Sequence, residues 1–305
     1  MRVFITGGSG WIGSAVVPAL IDGGHQVVGL TRSDASAAKL ESAGADVLRG
    51  DIGDAAVLRA GADDSDGVIH LAFRHDIAFS PDGMAMAAAS DAQAIETIGE
   101  ALAGTGRPFV IASGTPAVPG RPSTESDDSN LTGPAALRGV NARTVLALAG
   151  RGVRSSVVRL PRSVHGKGDV HGFIARLIVI AREKGVSGYV ADGSSRWPAV
   201  HVLDAASLFC LALENAAPGS VLHAVGDEAV PTREIAEVIG RQLSVPTASM
   251  PPDHFGFLGI VMAGDQPASS ALTRASLGWR PVQPGLIADI EAGHYFAEAG
   301  AARAR

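Results

Sequence analysis

Glycines at positions 7, 10 and 13 punctuate the run Thr-Gly-Gly-Ser-Gly-Trp-Ile-Gly, residues 6–13. The run follows a short apolar segment, Val3–Thr6, and opens a helical pattern. A turn of this kind lets backbone N–H groups approach a pyrophosphate, and the helix N-terminus behind it favours the negative charge. A Cβ would block the approach. Outside this strand–turn–helix setting three glycines mean little, and inside it they point to a dinucleotide. The alternative is an ordinary glycine-rich turn. On the first reading Gly7, Gly10, Trp11, Ile12 and Gly13 form one wall of a cofactor site.

The segments that follow fit a chain built around such a turn. Val3–Thr6, Gln26–Leu30, Asp46–Leu48, Gly67–Leu71 and Phe109–Ala112 are short, continuously apolar or β-branched, and bounded by Gly, Asp or Pro. Strands of that kind, separated by Ala-rich helices such as Ser36–Ser42 and Met84–Ala103, predict a parallel sheet covered on both faces. Pro18 falls inside the first helix and should kink it. Residues 116–134 are polar and Pro-rich and read as a surface loop. A helix from Ala135 to Ala149 and a strand at Ser155–Leu160 follow. From Pro161 onward the elements shorten. Val221–Val225 suits a further strand of the first sheet, and Pro231 to Leu243 an amphipathic helix capped by Thr232. The expected fold class is α/β, a doubly wound parallel sheet with a smaller, interleaved C-terminal substrate domain. Residues 1–161 form the dinucleotide-binding part, to which 196–225 return, and 162–195 with 226–305 form the substrate part.

Composition narrows the function classes. Of 305 residues, 46% are apolar and 18% charged, enough for a large core and against global disorder. A net charge of −6 argues against nucleic acid and anionic membrane surfaces as partners. The single cysteine, Cys210, excludes an internal disulfide and a cysteine-based zinc site, and its apolar surroundings read as core. No apolar stretch approaches the roughly 18 residues of a membrane span, and Met1 runs directly into the first strand. These features predict a soluble cytoplasmic protein, monomer or homodimer, acting on a small molecule.

The end of the second strand bears on cofactor choice. A site for NAD(H) usually places an acidic residue there for the ribose hydroxyls. This chain has Thr31, Arg32 and Ser33. A guanidinium pairs with a 2′-phosphate, so the sequence favours NADP(H) over NAD(H), unless Arg32 is only an exposed loop arginine. Asp51 and Ile52 after the third strand stand where the adenine edge would lie, although Asp51 equally suits a helix cap. Leu71, Ala72 and Phe73 at the end of the fourth should line the channel.

Together these motifs resemble the extended short-chain dehydrogenase/reductase superfamily, of the NAD-dependent epimerase/dehydratase type, with its Rossmann domain. The glycine loop, Asp51 and His70-Leu71-Ala72 match it. So do Phe109 to Thr115 with a catalytic Ser/Thr, Val157 to Gly166 at the start of the substrate part, and the Arg196 to Asp204 segment. The resemblance implies that Pro161 and Val164 also touch the cofactor. One departure stands out. The superfamily's chemistry uses a Tyr-x-x-x-Lys pair, in which the lysine and the cofactor make the tyrosine acidic enough to exchange a proton with the substrate. Here Tyr189 and Tyr295 are the only tyrosines, followed four residues on by Gly193 and Ala299. By spacing from Thr115 the pair should fall near 138 and 142, which are Arg138 and Ala142, with Asn141 between them.

The resemblance puts Thr115, with Ser113 upstream, at the substrate carbonyl. Arg138 suits an electrophile in place of the tyrosine, since a fixed guanidinium stabilises an oxyanion, but its pKa above about 12 rules it out as a proton donor at neutral pH. His165 matches a pocket-lining position and is a candidate proton donor, with His171 a weaker one and His201 a structural brace. The histidines lack paired metal-ligand spacing. Arg196 matches a diphosphate contact of sugar-nucleotide enzymes, but Pro161-Arg162-Ser163 replaces the asparagine they carry nearby. Phe173, Leu177, Trp197, Phe255, Phe257 and Leu258 suggest a less polar substrate unless they are core. The leading reading is an NADP(H)-dependent oxidoreductase acting on a small, fairly apolar carbonyl, alcohol or activated alkene. The alternatives are a non-catalytic NADP(H)-binding regulator and a non-redox epimerase or lyase with a tightly bound nicotinamide.

Overall fold

Short apolar strands joined by helices can bury both faces of a sheet only by winding the chain over each face in turn. The computed structural model, which describes residues 1–78, 80, 82–129 and 133–297, shows that arrangement. Strands β1 (Arg2–Thr6), β2 (Gln26–Thr31), β3 (Asp46–Arg49), β4 (Gly67–His70), β5 (Pro108–Gly114) and β6 (Arg154–Leu160) lie in one parallel sheet. Three later strands, β7 (Ser163–His165), β8 (Ser187–Tyr189) and β9 (Arg196–His201), leave it, and β10 (Ser220–His223) rejoins it beside β6. The order across the sheet is β10-β6-β5-β4-β1-β2-β3.

Alternate residues of β1 enter different cores. Val3 and Ile5 pack with Val16, Leu20 and Phe209 from α1 (Gly13–Asp22) and α8 (Val202–Asn215). Phe4 packs with Leu58, Ile95, Ile98 and Val145 from α3 (Ala55–Asp63), α5 (Gly83–Leu102) and α6 (Leu137–Ala147). Pro18 does not end α1, which continues to Asp22; a missing N–H costs one ladder bond. The helix expected to start at Ala135 begins two residues later, after a 3-10 turn over Gly133–Ala136.

The remaining elements form a smaller lobe. β9 pairs parallel with β7 and antiparallel with β11 (Asp227–Pro231), and β12 (Thr247–Ser249) pairs with β8. Against them lie α7 (Phe173–Lys184), α9 (Thr232–Leu243), α10 (Leu258–Ala263) and α12 (Leu286–Glu291). Thr232 is the first residue inside α9 and not its cap. Its hydroxyl donates to the Gly193 carbonyl at 3.3 Å, and Pro231 holds the cap position. The apolar set suggested for the substrate is mostly core: Leu177, Trp197, Phe255 and Leu258 are buried in this lobe, with Phe173 packed against them. Phe257 is half-exposed beneath the Arg176 guanidinium. Among the described residues no helix is long and apolar enough to cross a membrane.

Candidate functional site

Connections turn opposite ways from β1 and β4, so a crevice opens outside their carboxyl ends. A cavity of about 510 Å³ lies there. Its walls include Gly7, Gly10, Trp11, Ile12 and Gly13 from the first loop, Thr31 at the end of β2 with Arg32 and Ser33 after it, Asp51 and Ile52 after β3, and Leu71, Ala72 and Phe73 after β4. Two glycines are required by contacts. Gly7 has φ +72°, and a Cβ there would stand 2.6 Å from the Ala72 nitrogen. A Cβ on Gly13 would stand 2.2 Å from the Gly7 oxygen. The loop is thus pressed against β4 on one side and against its own helix on the other. The Trp11 indole donates to the Val164 carbonyl at 3.0 Å, tying the loop to β7. Val164 and Pro161 are not part of the cavity wall.

The far end of the cavity is charged. Arg32 reaches Asp51 at 3.3 Å, and the Asp51 Oδ1 accepts the Gly53 N–H at 2.8 Å, so Asp51 serves its own loop and not a helix N-terminus. Asp54 caps α3 instead. Ser33 caps α2 (Asp34–Ser42) by accepting from the Ser36 N–H. Ser9, Ser36, Gly50, Arg74, His75 and Asp76 also line the wall and were not foreseen. The last three follow Phe73 directly, just past the apolar run that marks β4. Arg74 and Asp76 form a two-pronged ion pair at 3.0–3.3 Å, which raises the arginine pKa and lowers that of the carboxyl. Burial against the wall, then the charge of Arg138, lowers the His75 pKa.

Behind β4 runs a buried polar chain that sequence spacing did not disclose. Thr6 Oγ1 accepts from the Ala72 N–H at 3.2 Å and meets His70 Nδ1 at 2.7 Å. His70 Nε2 meets Asp91 Oδ1 at 3.0 Å, and Asn141 donates to Asp91 Oδ2 at 2.6 Å. Burial alone would raise the Asp91 pKa, but hydrogen bonds from His70 and Asn141 and the charge of Arg138 bring it below the ordinary value. The Arg138 guanidinium lies over the Phe73 ring, 4.4 Å from its centroid, with the Ala112 carbonyl 3.5 Å away.

The remaining candidates separate. Thr115 is buried, and its backbone N–H donates to the Leu160 carbonyl at 3.0 Å. The Gln266 side-chain amide donates to the Thr115 carbonyl and approaches its hydroxyl at 3.4 Å. Arg162 donates to the Gln266 side-chain oxygen. A guanidinium has only donors, so it fixes the amide's orientation, makes the Thr115 oxygen an acceptor and leaves the hydroxyl proton free. Ser113 opens instead toward Arg143 and Arg159. His165 is 0% exposed, with Nδ1 on Asp289 at 2.9 Å and Nε2 without a hydrogen-bond partner among the described residues, and lies outside the cavity wall. His171 is exposed. The His201 ring accepts the Leu203 N–H and caps α8. Arg196 is engaged by Asp265 at 2.7 and 3.0 Å.

Comparison with known proteins sets this geometry in context. A model of the NAD dependent epimerase/dehydratase family matches residues 3–224. An uncharacterized protein of Saccharomyces cerevisiae is 46% identical, with 96% of this chain and 99% of that protein covered. One of Schizosaccharomyces pombe is 43% identical, with 97% and 100% covered. A 4-hydroxy-2-methyl-3-oxo-4-farnesyl-3,4-dihydroquinoline-1-oxide ketoreductase of Stigmatella aurantiaca is 29% identical, covering 72% of this chain and 67% of its own. Among solved structures, the dTDP-glucose 4,6-dehydratase of Streptomyces venezuelae with NAD bound superposes with a TM-score of 0.77 at 19% identity, with 96% of each chain covered.

Proposed function

The chain belongs to the NAD dependent epimerase/dehydratase family, and from that premise we propose that it is an NADP(H)-dependent oxidoreductase for a small carbonyl or alcohol. The observation that carries the reading is the cavity at the β1/β4 switch point. It is walled by a glycine cradle and carries Arg32 and Ser33, not a carboxylate, directly after β2. The cradle fits a pyrophosphate because the backbone N–H groups of residues 11–13 stand at the start of α1, while the Gly10 N–H closes the turn onto the Gly7 carbonyl at 3.0 Å. Arg32 leaves its long contact with Asp51 to hold the 2′-phosphate. A nicotinamide bound there supplies or accepts a hydride. The chain's own part is to bind, orient and polarise. Thr115, its hydroxyl proton left free by Gln266, donates to the substrate oxygen, and Arg138 adds a fixed positive charge beside Phe73. The guanidinium keeps its protons, so the proton gained by a reduced carbonyl passes from water through the Thr115 hydroxyl. His165, enclosed and held by Asp289, acts as a brace.

The ketoreductase relative supports a carbonyl substrate. The absence of any Tyr-x-x-x-Lys supports a second reading, a nicotinamide-binding protein without turnover. Titration with NADPH and NADH, followed by cofactor consumption over a panel of ketones, aldehydes and enones, separates the two. The oxidoreductase reading expects tighter NADPH binding and substrate-dependent oxidation. Binding without oxidation across the panel leaves the second reading, and no nicotinamide binding removes both.

A further inference from the structure

Ser113 and Arg159 are register neighbours on β5 and β6, so their side chains leave the same face of the sheet, the one α6 covers. With Arg143 they wall a hollow of about 20 Å³, to which Gly114 and Pro116, the neighbours of Thr115, also contribute. The polar groups here are mostly donors. Ser113 is 8% exposed, and its hydroxyl has no hydrogen-bond partner among the described residues. Arg159 is 7% exposed. Its Nη1 is taken by the Asp127 carbonyl at 2.6 Å and approaches the His223 ring at 3.5 Å, while its Nη2, among the described residues, reaches only Asp128, at 3.8 Å. Arg143 reaches the other Asp128 oxygen at 3.3 Å. Asp128 also accepts the Ser129 N–H at 2.8 Å, and its side chain is 62% exposed.

One exposed carboxylate therefore stands between two guanidinium groups, at distances longer than the roughly 2.7–2.9 Å of a charge-assisted bond. Of the other carboxylates near Arg159, Asp127 is held by Arg121 at 2.6 and 2.8 Å, and Glu125 has one oxygen occupied by the Thr273 N–H and hydroxyl at 2.7 and 2.6 Å; among the described residues neither carboxylate makes an ion pair with Arg159. A buried guanidinium is costly without a close anionic partner.

We propose that this hollow is a subsite for a carboxylate of the substrate, which displaces Asp128 and is held by Arg143, Arg159 and the Ser113 hydroxyl. The inference rests on the carbonyl–alcohol reading for its consequence: with the reacting oxygen at Thr115, the substrate class becomes a small oxo or hydroxy acid. Size favours the same class. The free volume is close to that of one water, enough for a carboxylate oxygen once Asp128 swings out and too small for a diphosphate.

Calorimetric titration of the whole protein with oxalate, and separately with inorganic phosphate, tests the subsite without cofactor. Asp128→Asn keeps the side-chain shape and removes the competing charge, so oxalate should bind about tenfold tighter; Arg143→Gln, on a half-exposed side chain, should weaken it about tenfold. NADPH affinity should change in neither variant. Equal oxalate affinity in wild type and both variants, or none at all in Asp128→Asn, overturns the subsite. Phosphate binding more tightly than oxalate overturns the carboxylate assignment. Since the oxalate titration contains no nicotinamide, a failure to bind or oxidise NADPH refutes the proposed function separately.

Discussion

On the proposed function, cofactor choice would turn on Arg32. Among the described residues its one ion pair is with Asp51 at 3.3 Å, and both side chains are well exposed, so little holds it against a 2′-phosphate. Arg32→Ala should weaken NADPH by about ten- to a hundredfold, the range of a charge-assisted hydrogen bond, and leave NADH nearly unchanged. Fluorescence titration with both cofactors checks this, and equal losses would show that Arg32 does not read the phosphate. Thr115→Val makes a different cut. It keeps the shape, removes the hydroxyl and should lower kcat by roughly a hundredfold or more with NADPH affinity kept; unchanged turnover would remove Thr115 from the chemistry. Both residues were visible in the sequence because each stands next to a strand end whose apolar run is unmistakable. Gln266, which sets the Thr115 hydroxyl, was not. It lies 151 residues away, and no local pattern links the two.

Elements show the same division between near and far signals. The parallel strands were legible because burial on both faces makes them continuously apolar, and the glycine loop because Gly7 and Gly13 have no room for a Cβ. The ties between elements were illegible. His70 on β4, Asp91 on α5 and Asn141 on α6 lie far apart in the sequence with no spacing that links them, and only packing joins them. This carboxylate locks two helices to the strand that carries Leu71 and Ala72 into the cavity. Asp91→Ala would leave the His70 ring and the Asn141 amide buried without it. The expected loss is about 2–5 kcal/mol in urea unfolding, from polar groups costing about 1–3 kcal/mol each. Asp91→Asn, which keeps one acceptor, should lose less. A loss below about 1 kcal/mol for the alanine variant would show that water replaces the carboxylate.

At the scale of the whole molecule, α12 is fastened to β7, the edge strand of the three-stranded sheet in the smaller lobe, by a second buried carboxylate. Asp289 on α12 takes His165 of β7 on one oxygen and His294 on the other, at 2.9 and 3.0 Å. Nearby, the Tyr295 hydroxyl accepts the Gly166 N–H and donates to Asp169, each at 3.2 Å, so the residues after α12 close over β7. Burial would raise the Asp289 pKa, but the hydrogen bonds from His165 and His294 outweigh it and hold the group below the ordinary 3.8. A carboxyl depressed in the folded state contributes stability that is complete above its unfolded pKa and fades as pH falls through its folded one. The clamp should therefore be at full strength at pH 5 and above with respect to this carboxyl, and weaken progressively below about pH 4. Asp289→Asn cannot be titrated there. It should lower stability at pH 6 by about 1.5–3 kcal/mol, the worth of hydrogen bonds to a charged group, and its stability should fall less steeply than that of wild type between pH 4 and 3. Urea denaturation at a series of pH values measures both. Parallel acid limbs for the two proteins would mean that other carboxylates, and not this clamp, set the acid limit of the fold.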